Sequence, residues 1–411
     1  MENKAINHLV LSTADSFKKF KRTLGSTALA TTLVATSIFT GMTETAQAAN
    51  GQAVSLAAAA TLNNETTNVT QSDLTFNTNV NTAGTFIVDL APAAFAIDLF
   101  TTQDSTAVAN TINIVGGILT VDLTSTMLGQ GATNAYTMNI AANAGIIQGG
   151  NQVVGTNATM NVVLQGGNMT YNGGATAIAF TLDSDAGADG TLTVITAGLK
   201  TFNKTVGASN GLTTAVIGAV GDDSSATFAE TVKIANITIL SGEDDGENSA
   251  ATFAKAVTGN VIMTDGAHAG SHALLNFTGQ TAGTALTGTI TTTKTDADDT
   301  LVTITDGGGG ASALQTFTGQ IGTATHKIAS LTVGAANGNA GNAKFDEAVF
   351  LTNLTVIADD ASGEASKVTV QKNLTTTAIV LTKDGNDSTL VVAGANTTVA
   401  GTIDGGGSGH G

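Results

Sequence analysis

The chain is poor in the residues that most often carry chemistry or covalent cross-links. Its 411 residues include no cysteine, no tryptophan and a single proline, Pro92. Without cysteine, a disulfide scaffold and a zinc ribbon are both excluded. With one proline and no Gly-X-Y period, a collagen triple helix is excluded as well.

Charge is also scarce, and most of it is negative. Charged residues make up 11% of the chain, and the formal net charge is −17. Because binding to phosphates needs clustered Lys and Arg, we expect no nucleic acid partner. Hydrophobic residues reach 42%, which is too many for the charged, apolar-poor composition of a disordered chain.

Residues 1–48 have the layout of a secretory signal peptide with an extended basic region. Five basic residues precede an apolar run at 25–41, and Ala46-Gln47-Ala48 forms an A-x-A cleavage site. This order predicts cleavage between Ala48 and Ala49, and export of the mature chain. The alternative, a membrane anchor, is less favoured because the run is short and rich in Thr and Ser. No later segment reaches 18 apolar residues, so we expect no transmembrane helix in the mature chain.

Removal of the signal peptide deepens the acidity and divides the rest of the chain by composition. Beyond residue 48 there are 29 acidic residues and ten basic ones, all lysine, which gives a net charge of −19. The first lysine is Lys200. We therefore predict two β-repeat regions, one at 49–198 that lacks Lys and Arg and one at 199–411 that contains Phe-centred units. Either the second region is truncated at its C-terminus, or another component anchors the chain.

Loose repeats are the most informative feature of the mature chain. Phe228, Phe253 and Phe277 lie 25 and 24 residues apart in similar surroundings. The tetrapeptide Phe-Thr-Gly-Gln occurs twice, at 277–280 and 317–320, which are 40 residues apart. The repeat unit is thus about 20–28 residues or twice that, a period typical of solenoids and repeat arrays.

Within each unit the local pattern predicts β-strand. Segments such as ITIL (237–240), LVTIT (301–305) and KVTV (367–370) are short and rich in β-branched residues. Gly, Asn, Asp and Ser clusters separate them and supply the turns. No segment beyond the signal shows a sustained helical period, so the fold class is predicted to be all-β.

Two all-β architectures remain open. A parallel β-helix, or β-solenoid, stacks short coils on one another, whereas tandem β-sandwich modules need about 100 residues each. A unit of 20–28 residues cannot bury its own apolar face and must stack on copies of itself. The β-solenoid is therefore the preferred prediction, and sandwich modules are the alternative.

The residues give little sign of catalysis. A β-helix lyase acting on acidic sugars usually needs Arg or Lys to hold carboxylates, and the mature chain has no Arg. Paired aspartates, as a glycoside hydrolase requires, occur only in turn-like segments. We predict that the protein is not an enzyme and has no catalytic residues, with a secreted β-helix polysaccharide lyase or hydrolase as the alternative.

Two acidic turns are weak candidates for calcium binding. SGEDDGE (241–247) and TDADDT (295–300) concentrate carboxylates, which suit a hard cation. Neither matches the spacing of an EF-hand, so solvated turns are the simpler interpretation. The candidate ligands are Asp244, Asp245, Asp296, Asp298 and Asp299. No firm metal site and no other cofactor is predicted.

Three features together resemble a known class of surface protein. The Ala46-Gln47-Ala48 signal, the Thr/Ala/Gly/Asn composition and phrases such as TTVAGTIDGGG (397–407) are similar to passenger regions of bacterial autotransporters. Rickettsial-type outer-membrane surface proteins and β-strand-repeat S-layer proteins resemble the chain most. The resemblance implies a secreted, outer-membrane-associated surface layer or adhesin that acts by self-association or by contact with a host surface. Its anchoring barrel or partner is expected to lie outside this sequence.

Overall fold

Short parallel strands joined by tight corners form the described part of the chain in this computed structural model. All of it lies within one compact unit, Ala35–Gly411. None of it is helical, so none of it offers a helix long and apolar enough to cross a membrane. Side chains are described for most positions from Thr111 onward. The described residues are 45–47, 54–57, 61–63, 69–77, 85–104, 109–129, 134–149, 151–154, 158–173, 176–185, 189–195, 197–219, 223–242, 246–264, 270–279, 283–293, 300–306, 313–335, 339–358, 365–382 and 386–405.

The strands are numbered in chain order. The first half comprises β1 Thr45–Gln47, β2 Val54–Ala57, β3 Thr61–Asn63, β4 Val69–Asn77, β5 Thr85–Asp104, β6 Ala109–Gly129, β7 Asn134–Ala141, β8 Ala144–Gln148, β9 Asn151–Val154, β10 Ala158–Gln165, β11 Asn168–Tyr171, β12 Thr176–Ile178, β13 Thr181–Ser184, β14 Thr191–Val194, β15 Leu199–Phe202 and β16 Leu212–Ile217. The second half comprises β17 Ser225–Phe228, β18 Val232–Leu240, β19 Ser249–Phe253, β20 Val257–Thr264, β21 Ala273–Phe277, β22 Gly283–Thr287, β23 Ile290–Thr292, β24 Thr300–Ile304, β25 Leu314–Phe317, β26 Ile328–Val333, β27 Asn342–Phe345, β28 Val349–Ile357, β29 Lys367–Val370, β30 Leu374–Thr382, β31 Thr389–Val392 and β32 Val399–Asp404.

Each turn of the chain adds residues to three parallel ladders. In the turn that starts at β19, Phe253 lies in the first ladder, Val257 in the second and Val261 in the third. Each of the three pairs with a residue of the turn before and a residue of the turn after. We call the corresponding faces side 1, side 2 and side 3.

Side 1 is a ten-stranded parallel sheet, and its ladder gives the number of residues in one turn. Its strands follow the order β12, β15, β17, β19, β21, β24, β26, β28, β30 and β32. Thr176 and Ile403 are nine steps apart in this ladder, so one turn takes about 25 residues. The predicted β-solenoid and its repeat of 20–28 residues are confirmed, and sandwich modules are excluded for this part of the chain.

The proposed boundary at 198/199 is crossed by continuous ladders. On side 1, β12 before the boundary pairs with β15 after it, and on side 3, β14 pairs with β16. The division into 49–198 and 199–411 therefore remains a division of composition within one stack.

Alternating burial builds a single core along the interior. In β19 the side chains of Ser249, Ala251 and Phe253 are buried, and those between them are partly exposed. The Phe202, Phe228, Phe253 and Phe277 rings lie on successive turns, with centroids 4.8, 5.1 and 5.8 Å apart. Burial of each such ring stabilises the fold by roughly 1.5–3 kcal/mol.

The corner between sides 2 and 3 requires residues without a side chain. A Cβ on Gly259, which has φ of 144°, would lie 1.6 Å from the carbonyl oxygen of Ile234 in the preceding turn. A Cβ on Gly288 would lie 2.1 Å from the oxygen of Gly259, and one on Gly319 would lie 2.1 Å from that of Gly288. Glycine is thus stacked on glycine where adjacent turns approach most closely.

The two Phe-Thr-Gly-Gln copies do not occupy equivalent places. Phe277 belongs to side 1, whereas Phe317 pairs with Leu286 on side 2. Gly279 follows side 1, and Gly319 lies in the stacked corner after side 2. Forty residues therefore span one turn and one further side, so this pair does not mark a repeat of whole turns.

A turn buries its inward side chains only when it has a neighbour on each side. Ile379 is fully buried between Leu354 and Ile403, its partners in the side 1 ladder. Ile403 continues the same ladder in β32 and is 58% exposed. Stacking of turns, and not the single turn, supplies the core of this fold.

Candidate functional surface

The residues singled out from the sequence as site candidates lie outside the described residues. This holds for the signal cleavage pair Ala48 and Ala49 and for the calcium candidates, which are Asp244, Asp245, Asp296, Asp298 and Asp299. Within the described part of the chain, no three His, Asp or Glu side chains converge on a point where a metal ion would fit. The calcium hypothesis therefore stays a prediction.

Side 1 has a regular outer surface, which we call the threonine face. Two columns of outward, partly exposed side chains run along it. The first column is Thr201, Thr227, Thr252, Asn276, Thr303, Thr332 and Thr355. The second is Leu199, Ser225, Ala250, Leu274, Leu301, Ser330 and Asn353.

The threonine face carries no charge, although the chain as a whole is strongly acidic. Its fourteen positions hold only Thr, Asn, Ser, Ala and Leu. The ten strands of side 1 contain two charged residues, Lys200, which points inward, and Asp404, which lies in the last strand. These side chains present hydroxyl, amide and methyl groups, and none of them is ionisable.

Charged residues lie along one edge of the threonine face. Lys204, Glu230 and Lys255 each come two residues after a stacked phenylalanine, at the corner where side 1 ends. The first two are exposed. Over these three turns, the uncharged columns are therefore bordered by charged residues on one edge.

Neighbouring positions on the threonine face are fixed by the ladder beneath them. Parallel strands lie about 4.8 Å apart, so each column repeats its side chains at that distance. The Asn276 side-chain amide donates a hydrogen bond to the Thr252 hydroxyl across adjacent turns, with a distance of 3.3 Å. The face therefore presents methyl and hydroxyl groups at regular spacing on a rigid support.

Lys200 is the exception to the apolar interior of side 1. It is 1% exposed, and its ammonium donates hydrogen bonds to the backbone carbonyls of Gly173 and Gly198. Burial lowers the pKa of Lys200 because water no longer solvates the charged form. Its ladder partner in the next turn is Ala226, whose small side chain leaves room for the long one.

Three aspartates, Asp183, Asp185 and Asp189, lie beside side 2. Burial raises the pKa of Asp189, and the hydrogen bond and charge of the Asp185 carboxyl raise it further. Nearby, the Asp183 carboxylate accepts backbone hydrogen bonds from Ser209 and Asn210 at 3.0 and 2.8 Å. The Asp183 carboxylate therefore holds residues 209–210 of the next turn in place.

A shallow groove of about 330 Å³ opens at the corner between sides 2 and 3. Leu212, Ile234 and Gly259 line it, and Lys233 lies at its border. The pairing of β18 with β20 shifts register between Lys233 and Asn236, which is at this corner. Most of the lining surface is apolar, and Asn210, Lys233 and Thr258 add polar side chains to it.

Neither the threonine face nor the buried lysine was identified from the sequence. Alignment of Phe202 with Phe228 and Phe253 would have shown both, since it places Lys200 level with two buried alanines. It also places Thr201 level with Thr227 and Thr252.

Comparison of the chain with family models, curated proteins and solved structures finds no match.

Proposed function

We propose that the protein is a secreted structural component of a bacterial cell surface, of the surface-layer or adhesin type. It acts through an extended acidic β-scaffold and has no catalytic centre. The observation that carries the proposal is the threonine face, a long regular surface free of charge and of catalytic groups. The signal-like residues 1–48 support export.

The composition supports the same proposal. An exported scaffold must resist proteases, and residues 49–199 offer no Lys or Arg at which a trypsin-like enzyme could cut. Backbone hydrogen bonds between turns, such as those from Ala254 to Phe228 and from Thr278 to Phe253 at 2.9 Å each, tie every turn to its neighbour. A stack of this kind can act as a scaffold through its outer surface, and this role does not require a binding cleft.

Localisation tests the proposal. The chain is expressed in a bacterial host beside a variant carrying Ala46→Arg and Ala48→Arg, which removes the small residues that signal peptidase recognises. We expect the parent protein to be exported with Ala49 as its first residue, and the variant to stay unprocessed. N-terminal sequencing and immunogold electron microscopy of intact cells give the two readouts. Unprocessed parent protein confined to the cytoplasm would contradict the proposal.

A further inference from the structure

We propose that, among the lysines that the structure describes, Lys204 marks the site that a trypsin-like endopeptidase cuts fastest, and that the cut chain stays stacked as one particle. Such an enzyme holds an extended Lys or Arg side chain in a pocket while it attacks the peptide bond that follows. The ten basic residues beyond residue 48 are all lysine, and the first two are Lys200 and Lys204. The fold decides which of these two the enzyme can reach.

Lys200 and Lys204 are followed by the same residue type but lie in opposite environments. The next residues are Thr201 and Thr205. Lys200 lies in β15 with its side chain 1% exposed and its ammonium bonded to two backbone carbonyls. It cannot enter the pocket of an enzyme unless its strand leaves the stack. Lys204 is exposed at the corner where side 1 ends. Burial therefore separates the two lysines, whereas the residue after the cut does not.

The backbone around Lys204 is irregular and held by few bonds. Residues 203–211 contain no strand, only a single bridge at Val206. Asn203 and Thr205 each take part in a backbone hydrogen bond with the preceding turn, at 2.8 and 3.3 Å. Lys204 itself makes no hydrogen bond to any residue that the structure describes. Proteolytic nicking concentrates in exposed, irregular segments of this kind, because little structure has to open before the enzyme binds.

The other exposed lysines of the described chain are held more firmly. Lys233 lies in β18 and Lys367 in β29, where the backbone is paired with neighbouring turns. Lys372 lies in a corner of only three residues, 371–373, between β29 and β30. The remaining described lysines are only partly exposed, namely Lys255, Lys327 and Lys344. Because a strand or a short corner must leave the ladder before it is cut, we expect cutting after Lys204 to be at least about tenfold faster.

The cut divides the chain without dividing the stack. Hydrolysis breaks the amide between Lys204 and Thr205 and adds one water molecule, which leaves a carboxylate on Lys204 and an amine on Thr205. Across the break, β15 still pairs with β17 on side 1, and β14 with β16 on side 3. The Phe202 and Phe228 rings, 4.8 Å apart, lie on opposite sides of the break. The two pieces therefore share the interface between two turns, which should hold them together.

Limited digestion of the purified, folded protein with trypsin tests the proposal. Mass spectrometry of the released ends gives the initial rate of cutting after each lysine. We expect the new N-terminus Thr205 to appear before that of any other described site, with no early cut after Lys200. Protein unfolded in urea should be cut after Lys200 and Lys204 at similar rates, because threonine follows both. After the native cut, size-exclusion chromatography should give one peak at the parent position, and a denaturing gel should show two fragments.

Lys204→Gln and Lys372→Gln form a matched pair, since each removes one positive charge from an exposed corner. Circular dichroism verifies that both keep the β fold. Residues 49–232 should stay uncut in Lys204→Gln at times when the parent is cut there, and Lys372→Gln should behave as the parent. Cutting after Lys200 or another described lysine as fast as after Lys204 would overturn the proposal, as would separation of the two pieces on the native column. Digestion of purified protein does not depend on where the chain is located, so this proposal and the proposed function can fail separately.

Discussion

The inner and outer surfaces of side 1 are built from neighbouring residues and obey different rules. Thr252 and Phe253 are adjacent in β19, yet the first lies on the outer column and the second is fully buried. The inner side is filled by rings in contact, so its residues are limited by volume. The outer side has no such limit, yet it lacks charge over seven turns. Packing therefore explains the residues of the inner column but not those of the outer columns.

The largest effect that separates the two surfaces is expected from Phe253→Ala. The ring lies between Phe228 and Phe277, with centroids 5.1 and 5.8 Å away, and its removal leaves a cavity between turns. The free energy of unfolding should fall by about 3–5 kcal/mol. Thr252→Ala, one residue away, should cost less than about 1 kcal/mol. Urea unfolding measures both, and equal losses would contradict the assignment of inside and outside.

The next effect distinguishes the two Phe-Thr-Gly-Gln copies. A Cβ on Gly319 would lie 2.1 Å from the backbone oxygen of Gly288, whereas one on Gly279 meets nothing within 4 Å. We expect Gly319→Ala to cost about 3 kcal/mol, since turns must separate. Gly279→Ala should cost about 1–2 kcal/mol, from its φ of 64° alone. Thermal denaturation of the two variants, compared side by side, would show no difference if the copies were structurally equivalent.

A smaller effect of opposite sign is expected inside side 1, at Lys200. Its ammonium is buried and donates hydrogen bonds to the backbone carbonyls of Gly173 and Gly198, so Lys200→Met should raise the free energy of unfolding by about 1–2 kcal/mol at neutral pH. A loss of stability would show that the two carbonyl bonds outweigh the burial of charge.

The pH dependence of the same variant gives a second readout. The folded pKa of Lys200 is lower than its unfolded pKa, so between the two the unfolded chain binds more protons. The free energy of unfolding of the parent protein should therefore rise as pH increases from the folded pKa to the unfolded pKa. Below the folded pKa, the full cost of burying the charged ammonium is present. The advantage of Lys200→Met should shrink as pH rises toward 10.5. Urea unfolding of both proteins at several pH values measures the trend.

The smallest effect is expected on the outer side. Thr252→Val keeps the shape and removes one hydroxyl, which accepts a hydrogen bond from Asn276. Stability should change by less than about 0.5 kcal/mol. A loss comparable with that of Phe253→Ala would show that the outer column is part of the fold's core network and not a free surface.

The sequence predicted the fold well where strands and packing repeat together. The 24- and 25-residue spacing of Phe228, Phe253 and Phe277 corresponds to one turn, because each ring must lie over the last. The 40-residue spacing from Phe277 to Phe317 did not correspond to whole turns, because side 1 and side 2 both carry phenylalanines. From Phe277 onward the aromatic column passes from side 1 to side 2, where Phe317 meets Phe277 edge to face at 5.0 Å.

The candidate surface was harder to predict than the fold. Outward residues in a strand alternate with inward ones, so a lack of charge in one column is invisible until turns are aligned in register. Lys200 shows the same difficulty. A lysine is normally placed outside, and only the ladder position that it shares with Ala226 and Ala251 places it inside.

The central claim, that residues about 25 apart stack in one parallel ladder, can be tested by a single distance. The chain has no native cysteine, so Thr201→Cys and Thr355→Cys receive the only two spin labels. Six steps of about 4.8 Å predict a separation near 29 Å between these outer positions in dilute solution. Double electron–electron resonance should show one peak close to that value. A peak beyond about 40 Å, or no peak at all, would contradict the β-solenoid register.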